Sequence, residues 1–277
     1  METEVQNATL VQRKDVGPRL AILRVRPDSG AFPRFEPGQF AMLGLPRPAA
    51  VPAALDASGE SALLRPPRPR LVRRAYSIAS AASERRYLEF CVVRVPHGRL
   101  TEPLWELGEG GRLWLHDEIR GEFTLELAPR DANLVLVATG TGIGPFMSIL
   151  RTYSGSGRWR RCALVHGART VTDLVYREDL EELVRADPSV TYLPIVSREP
   201  EASDWTGLRG RVQLALERDE LATLLGSSEA SNAPADTHVF LCGNPDMIRS
   251  LGASLTERGF RSSTRLEPGN LHYERYW

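Results

Sequence analysis

Residues 134–145, Leu134-Val135-Leu136-Val137-Ala138-Thr139-Gly140-Thr141-Gly142-Ile143-Gly144-Pro145, constrain the fold of this chain more than any other stretch. The unbroken apolar run Leu134–Ala138 suits a strand buried on both faces. A glycine-rich turn follows, then an apolar segment from Phe146 to about Tyr153 that reads as a helix. Glycines let backbone amides approach a pyrophosphate, and a helix N-terminus favours that anion, so this order is the opening unit of a dinucleotide-binding sheet. The spacing is G-x-G-x-G-P rather than G-x-G-x-x-G, and the turn alone is equally a tight strand–helix connection without a ligand.

The grammar continues downstream. A strand over Cys162–His166, an amphipathic helix over about Asp173–Arg185 and a strand over Val190–Val196 follow. Helical stretches near Val212–Arg218 and Glu220–Leu225 come next, then a strand over His238–Cys242 and a helix over about Pro245–Arg258. Alternating strands and helices predict a parallel sheet with right-handed crossovers, covered on both faces. Upstream the grammar differs. Leu20–Val25, Phe40–Leu43 and Leu88–Val93 are short runs bounded by Gly, Pro and charge, which predicts a barrel or sandwich. One helix interrupts them at about Thr101–Leu107. The boundary falls near Pro129-Arg130-Asp131, giving residues 1–129 and 130–277 as two domains and a two-domain α+β chain. Residues 46–70 are rich in Pro and Ala and read as a surface loop inserted between strands.

The 277 residues carry 35 Lys+Arg and 35 Asp+Glu, so net charge points to neither nucleic acid nor a membrane surface. Cys91, Cys162 and Cys242 lie far apart, without the spacing of a zinc or iron–sulfur site, and the sparse odd count suits a reducing cytoplasm. The histidines show no metal-ligand spacing. Met1-Glu2-Thr3-Glu4 reads as neither signal peptide nor anchor, and no run is long and apolar enough to span a membrane.

Candidate chemistry comes from both halves. In Arg74-Ala75-Tyr76-Ser77, Arg74 can neutralise a flavin dinucleotide pyrophosphate, Tyr76 can stack on an isoalloxazine, and Ser77 can hydrogen-bond at its reactive edge. Gly98-Arg99-Leu100-Thr101 opens the one helix and suits a second phosphate contact. A site preferring NAD carries an acid near the end of its second strand. Here that strand runs into Arg169, the third into Arg198, and Arg211 follows; guanidinium forks at such places fit a 2′-phosphate, hence NADP. Any one of them could be a solvated arginine. Cys242 ends the last strong strand, where a thiol is small enough to let a nicotinamide approach; the bland alternative, to which Cys91 and Cys162 are assigned, is a core cysteine. Glu274 and the aromatic end Tyr273, Tyr276, Trp277 can line a cofactor or simply pack.

Taken together with Pro37-Gly38-Gln39-Phe40, Val196-Ser197-Arg198-Glu199, Gly210-Arg211 and Cys242-Gly243-Asn244-Pro245, these residues resemble the ferredoxin–NADP⁺ reductase family, most closely its bacterial flavodoxin/ferredoxin reductases, over nearly the whole chain. The resemblance implies an N-terminal antiparallel FAD-binding β-barrel and a C-terminal α/β NADP-binding domain. It implies Arg74, Tyr76, Ser77, Gly98, Arg99, Leu100, Thr101 and Trp277 around FAD. It implies Thr141, Gly142, Arg169, Arg198, Arg211, Cys242 and Asp246 around NADP(H). Ser77, Cys242, Glu274 and Tyr276 then surround hydride transfer, with Tyr276 over the flavin as a gate and Trp277 near the adenine. A ferredoxin or flavodoxin is the implied partner of a monomeric cytoplasmic enzyme. The insertion at 46–70 departs from compact bacterial members. Two other readings stay open: an NADH-using reductase feeding an oxygenase, and a non-catalytic FAD-binding relative.

Overall fold

The computed structural model describes residues 6–47, 70–217, 225, 236–264 and 266–275. The first sheet contains β1 (Ala8–Gly17), β2 (Leu20–Pro27), β3 (Phe40–Arg47), β4 (Arg70–Ser77), β5 (Leu88–Val93) and β6 (Arg112–Leu115). Its order is β4-β3-β6-β1-β2-β5, with every pair antiparallel. Ile78 bridges to Phe90 beside β5, so the two edge strands meet and the sheet closes into a barrel. Inward-facing Leu10, Leu23, Val25, Leu43, Phe90 and Leu113 fill it. The helix α1 (Thr101–Glu106) plugs one end with the buried Leu104.

The predicted insertion is narrower than 46–70. Pro46 and Arg47 still belong to β3, and Arg70 already belongs to β4, because the two strands pair through Arg47↔Arg70. Residues 48–69 lie outside the described residues.

The second sheet is entirely parallel. It holds β7 (Asn133–Thr139), β8 (Arg161–Ala168), β9 (Val190–Val196), β10 (Leu208–Arg209), β11 (Thr237–Gly243) and β12 (Leu271–Arg275), ordered β10-β9-β8-β7-β11-β12. The chain leaves β7 toward β8 on one side and returns to β11 on the other, so the order reverses between β7 and β11. A crevice opens outside the strand C-termini at such a reversal, and ligands bind there. The helices α2 (Ile143–Tyr153), α3 (Arg177–Ala186), α4 (Val212–Glu217) and α5 (Pro245–Glu257) cover the faces. Strand periodicity of two splits β11: Val239 and Leu241 pack with α5, whereas Phe240 and Cys242 face the barrel side.

One helix boundary shifts. The helix expected from Asp173 starts at Arg177, because a capped single turn at Val171–Asp173 intervenes and Tyr176 takes a left-handed backbone (φ 65°) that no helix interior accepts. Of the aromatic end, Leu271–Arg275 form the strand β12 alongside β11, with Tyr273 exposed. The helical stretch near 220–225 lies outside the described residues except for Leu225, which is buried.

Barrel and parallel sheet share one apolar core, in which Leu20, Ile22, Ala79 and Cys91 meet Phe123, Leu136, Phe146 and Phe240. The connecting segment is stitched down by Arg158, which donates to the carbonyls of Leu125, Ala128 (2.8 Å) and Pro129 (3.0 Å). Three acceptors turned toward one guanidinium leave that connection little freedom.

Candidate active site

The strand ends β4, β7, β11 and β12 converge beside the start of α2. Parallel register sets Cys242 opposite Glu274, so both side chains rise on the barrel-facing side of the sheet. Ser77, the last residue of β4, donates its hydroxyl to Glu274 Oε2 at 3.4 Å, and Cys242 Sγ lies 4.0 Å from the same oxygen. Three residues expected to surround the reacting centre are therefore brought together, although Ser77 and Glu274 are separated by 197 positions.

Glycine is required where the turn closes on this cluster. A Cβ on Gly142 would sit 2.3 Å from the carbonyl oxygen of Cys242, a backbone atom that cannot step aside. Gly243 takes φ +128°, and a Cβ there would collide with Thr139 Oγ1 at 2.4 Å. Thr139, to which sequence reasoning gave no separate role, ties the two strand ends by accepting the Asn244 amide on Oγ1 at 2.9 Å. A hydroxyl directly before the glycine turn was the available signal. The Asn244 side chain accepts from the amides of Asp246 (2.8 Å) and Met247 (3.3 Å) and so caps α5. No side chain caps α2, whose first turn faces the crevice beside Ser77.

Burial sets the electrostatics. It pushes Glu274 up to about 7, against the opposing hydrogen bond from Ser77. Burial likewise pushes the Tyr76 phenol up to about 12, with Arg74 pulling the other way. Arg74 and Tyr76 share one face of β4 by strand periodicity, the guanidinium exposed and the ring half-buried. Below Cys242 on the same sheet face, His238 Nδ1 and His272 Nε2 lie 2.9 Å apart. Burial lowers both, His272 to about 3, so both rings stay neutral at neutral pH, each keeping one ring N–H, and one of them donates across the contact.

The arginines form a separate, exposed group at the ends of β8 and β9. The Arg198 amide donates to the Arg169 carbonyl at 2.7 Å, which sets those residues side by side. Gly210 donates to Val196 at 2.7 Å and brings Arg211 to the same rim. Among the described residues no carboxylate forms an ion pair with any of the three. Arg209, missed in the sequence, staples the neighbouring loop through the carbonyls of Glu199 (2.8 Å), Pro200 (3.2 Å) and Trp205 (3.3 Å). Asp246 stands on the first turn of α5, exposed and paired with Arg249 at 2.9 Å.

At the head of α1 the Thr101 hydroxyl is engaged by the Val95 backbone at 3.2 Å, and Leu100 points into the barrel core. Gly98 and Arg99 stay at the surface of that loop. Tyr276 and Trp277 lie outside the described residues.

The chemistry fits two ring cofactors. The half-buried Tyr76 supplies an aromatic wall, the uncapped start of α2 suits a pyrophosphate, and the arginine rim holds unneutralised charge for a further phosphate. Among the described residues no group of His, Cys, Asp and Glu could hold a metal, and no helix is long and apolar enough to cross a membrane.

A closed barrel joined to a dinucleotide-type parallel sheet, with a half-buried carboxylate at their junction, defines a two-lobe oxidoreductase. Residues 136–252 match the family described as the oxidoreductase NAD-binding domain. A flavodoxin/ferredoxin–NADP reductase of Buchnera aphidicola is 34% identical over 208 residues, covering 74% of this chain and 78% of the relative. Its Escherichia coli counterpart is 34% identical over 245 residues, 88% of each. The chain belongs to the flavodoxin/ferredoxin–NADP reductase family. Its fold resembles that of a ferredoxin NADP⁺ reductase from Neisseria gonorrhoeae with bound FAD and NADP, at a TM-score of 0.78, 24% identity and 98% coverage of both chains.

Proposed function

We propose that residues 1–129 hold FAD and residues 130–277 hold NADP(H). The chain then transfers a hydride between them and passes single electrons between the flavin and a ferredoxin or flavodoxin. The observation that carries this reading is the meeting of Ser77, Cys242 and Glu274 where the barrel edge touches the crevice between β7 and β11. The bound rings supply the hydride and electron chemistry; the protein supplies geometry, charge and a proton site.

Tyr76 offers the flavin a face that excludes water, and Arg74 neutralises its pyrophosphate. Gly98, Arg99, Leu100 and Thr101 contribute chiefly backbone to a second phosphate contact, since the Thr101 hydroxyl is already engaged. Thr141 and Gly142 present amides to the dinucleotide phosphates. Arg169, Arg198 and Arg211 clamp the 2′-phosphate, and Asp246 borders the same crevice. Cys242 keeps the nicotinamide wall thin. Glu274, raised to about 7, holds or releases a proton at Oε2 near neutral pH, next to the Ser77 hydroxyl. The family resemblance gives Tyr276 the role of a gate over the flavin and Trp277 a place toward the adenine; both lie outside the described residues. Removing Tyr276-Trp277 changes NADPH-over-NADH discrimination and leaves FAD redox chemistry nearly intact; unchanged kinetics with both nucleotides refute the gate.

A monomeric cytoplasmic enzyme belongs to the same proposal; the burial of Cys91, Cys162 and Cys242 suits a reducing compartment. The direct test is the purified protein. It is yellow, carries FAD, is reduced by NADPH in stopped flow and passes electrons to a ferredoxin or flavodoxin. A colourless chain that fails to take up FAD on reconstitution overturns the proposal.

A further inference from the structure

We infer that Arg151, seated on the buried carboxylate of Glu89, is the positioning residue that holds the nicotinamide-side turn against the flavin-side strand end. The inference rests on the hydride-transfer reading above and deepens it.

Gly144, Ser148, Arg151 and Thr152 recur at helical spacing and form one stripe along α2. That stripe lies along barrel residues 77–82. Gly144 packs on Ser77, a Cβ there coming within 3.6 Å of its carbonyl oxygen. Ser148 donates to the Ser80 carbonyl at 2.8 Å, Arg151 to the Ala79 carbonyl at 3.0 Å, and the Ala82 amide to Thr152 Oγ1 at 3.0 Å. The head of this helix is the glycine turn of the dinucleotide crevice. Its far end is fixed by charge: Arg151 meets Glu89 at 2.6 Å, and Glu89 on β5 is only 1% exposed.

Both partners are themselves immobilised. Arg24 on β2 grips the other carboxylate oxygen of Glu89 at 2.7 Å, so the anchor is fixed to the barrel. Arg151 reaches Asp179 of α3 at 2.5 Å and lies over the Tyr176 ring at 5.0 Å, so the guanidinium is fixed to the other lobe. Burial pushes the Glu89 carboxyl up, but the two guanidiniums outweigh it and hold the group below the usual range. A buried ion pair stabilises a fold no better than an apolar pair of similar volume, but its bonds demand a narrow geometry. Arg151 lies about 12 Å along the axis from the first residue of α2, at 1.5 Å per residue. A tilt released at that end moves the turn beside Ser77. A misplacement of about 1 Å at a reacting centre costs roughly 100-fold in rate.

Arg151→Ala alone would strand a buried charge, so the informative holoenzyme variant is the double Glu89→Gln/Arg151→Met, with Arg151→Lys as the conservative form. Three quantities are compared with the natural chain: the rate of flavin reduction by NADPH in stopped flow, the long-wavelength absorbance of stacked nicotinamide and flavin, and the affinity for 2′-phospho-AMP. The double variant keeps its FAD and its 2′-phospho-AMP affinity, loses about 10- to 100-fold in flavin reduction and loses the stacking absorbance. Arg151→Lys falls between. Flavin reduction and stacking absorbance equal to the natural chain, even with a lowered melting temperature, overturn the inference and leave Arg151 a structural staple. Should the double variant not retain FAD, Arg151→Lys decides on the same two readouts. A natural chain that NADPH does not reduce sinks the hydride-transfer reading instead.

Discussion

The two ends of the crevice are built on opposite principles. At the junction end, Ser77, Cys242 and Glu274 are held by strand register and turn geometry in a largely dry setting, where a carboxyl shifts to about 7. At the rim, Arg169, Arg198 and Arg211 stand in solvent at the ends of β8 and β9, with no described carboxylate to neutralise them. The first end is preorganised and costly to disturb. The second is exposed charge with no described carboxylate to neutralise it. On the proposed roles, reactivity and nucleotide choice are separable, and the comparison can be broken by mutating each end.

The largest effect is expected at Gly142→Ala. A methyl aimed at the Cys242 carbonyl from 2.3 Å forces the turn off β11, and stopped-flow reduction by NADPH should fall by more than about 100-fold, in keeping with an ångström-scale displacement. Next is Glu274→Gln, which should lower turnover by about 100-fold, the lower end of the range for a lost proton site. It also alters pH dependence. The folded value of about 7 lies above the ordinary 4.5, so the stability this group contributes is full below pH 4.5 and is lost as pH rises through 7. At about 1.4 kcal/mol per unit, the loss is at most about 3.5 kcal/mol, less what solvent screening removes. Melting temperatures of the two proteins should diverge between pH 5 and pH 8, the variant gaining at the alkaline end; parallel curves would show that Glu274 titrates normally.

A smaller and more selective effect belongs to the rim. Arg198→Ala or Arg211→Ala should cut kcat/KM for NADPH by about 10- to 100-fold, the worth of one or two charge-assisted bonds, and spare NADH. Equal losses for both nucleotides would erase the separation of the two ends. The smallest effect is Arg249→Ala. Its pair with Asp246 is 75% and 81% exposed, and such pairs contribute about 0–1 kcal/mol, so denaturant midpoints should coincide.

Much of this was legible in the sequence because the signals were local. Leu134–Ala138 announced a doubly buried strand, and the glycines after it announced a close backbone approach, which Gly142 makes against Cys242. The strand β12 was harder, since Leu271-His272-Tyr273-Glu274-Arg275 has neither an apolar run nor clean alternation; an edge position beside β11 asks for neither. The start of α3 was misplaced because Asp173 looks like a helix opening, and nothing in the sequence shows that Tyr176 adopts φ 65°. The Ser77–Glu274 contact was reachable only through family resemblance, since no local rule joins residues so far apart. Arg151 was invisible for a different reason: one arginine on an amphipathic helix, in a chain where Lys14 is the only lysine, looks like every other solvated arginine.

The stripe along α2 also bears on how such proteins can be recombined. A cut at the connecting segment near Pro129 looks natural, yet half the seat of α2 is written in residues 77–89. A chimera that grafts this barrel onto another reductase's nucleotide-binding half inherits a helix from one parent and its socket from the other. Transplanting 77–89 together with 143–152 keeps lock and key from the same source, and the functional module boundary follows that packed surface, not the linker.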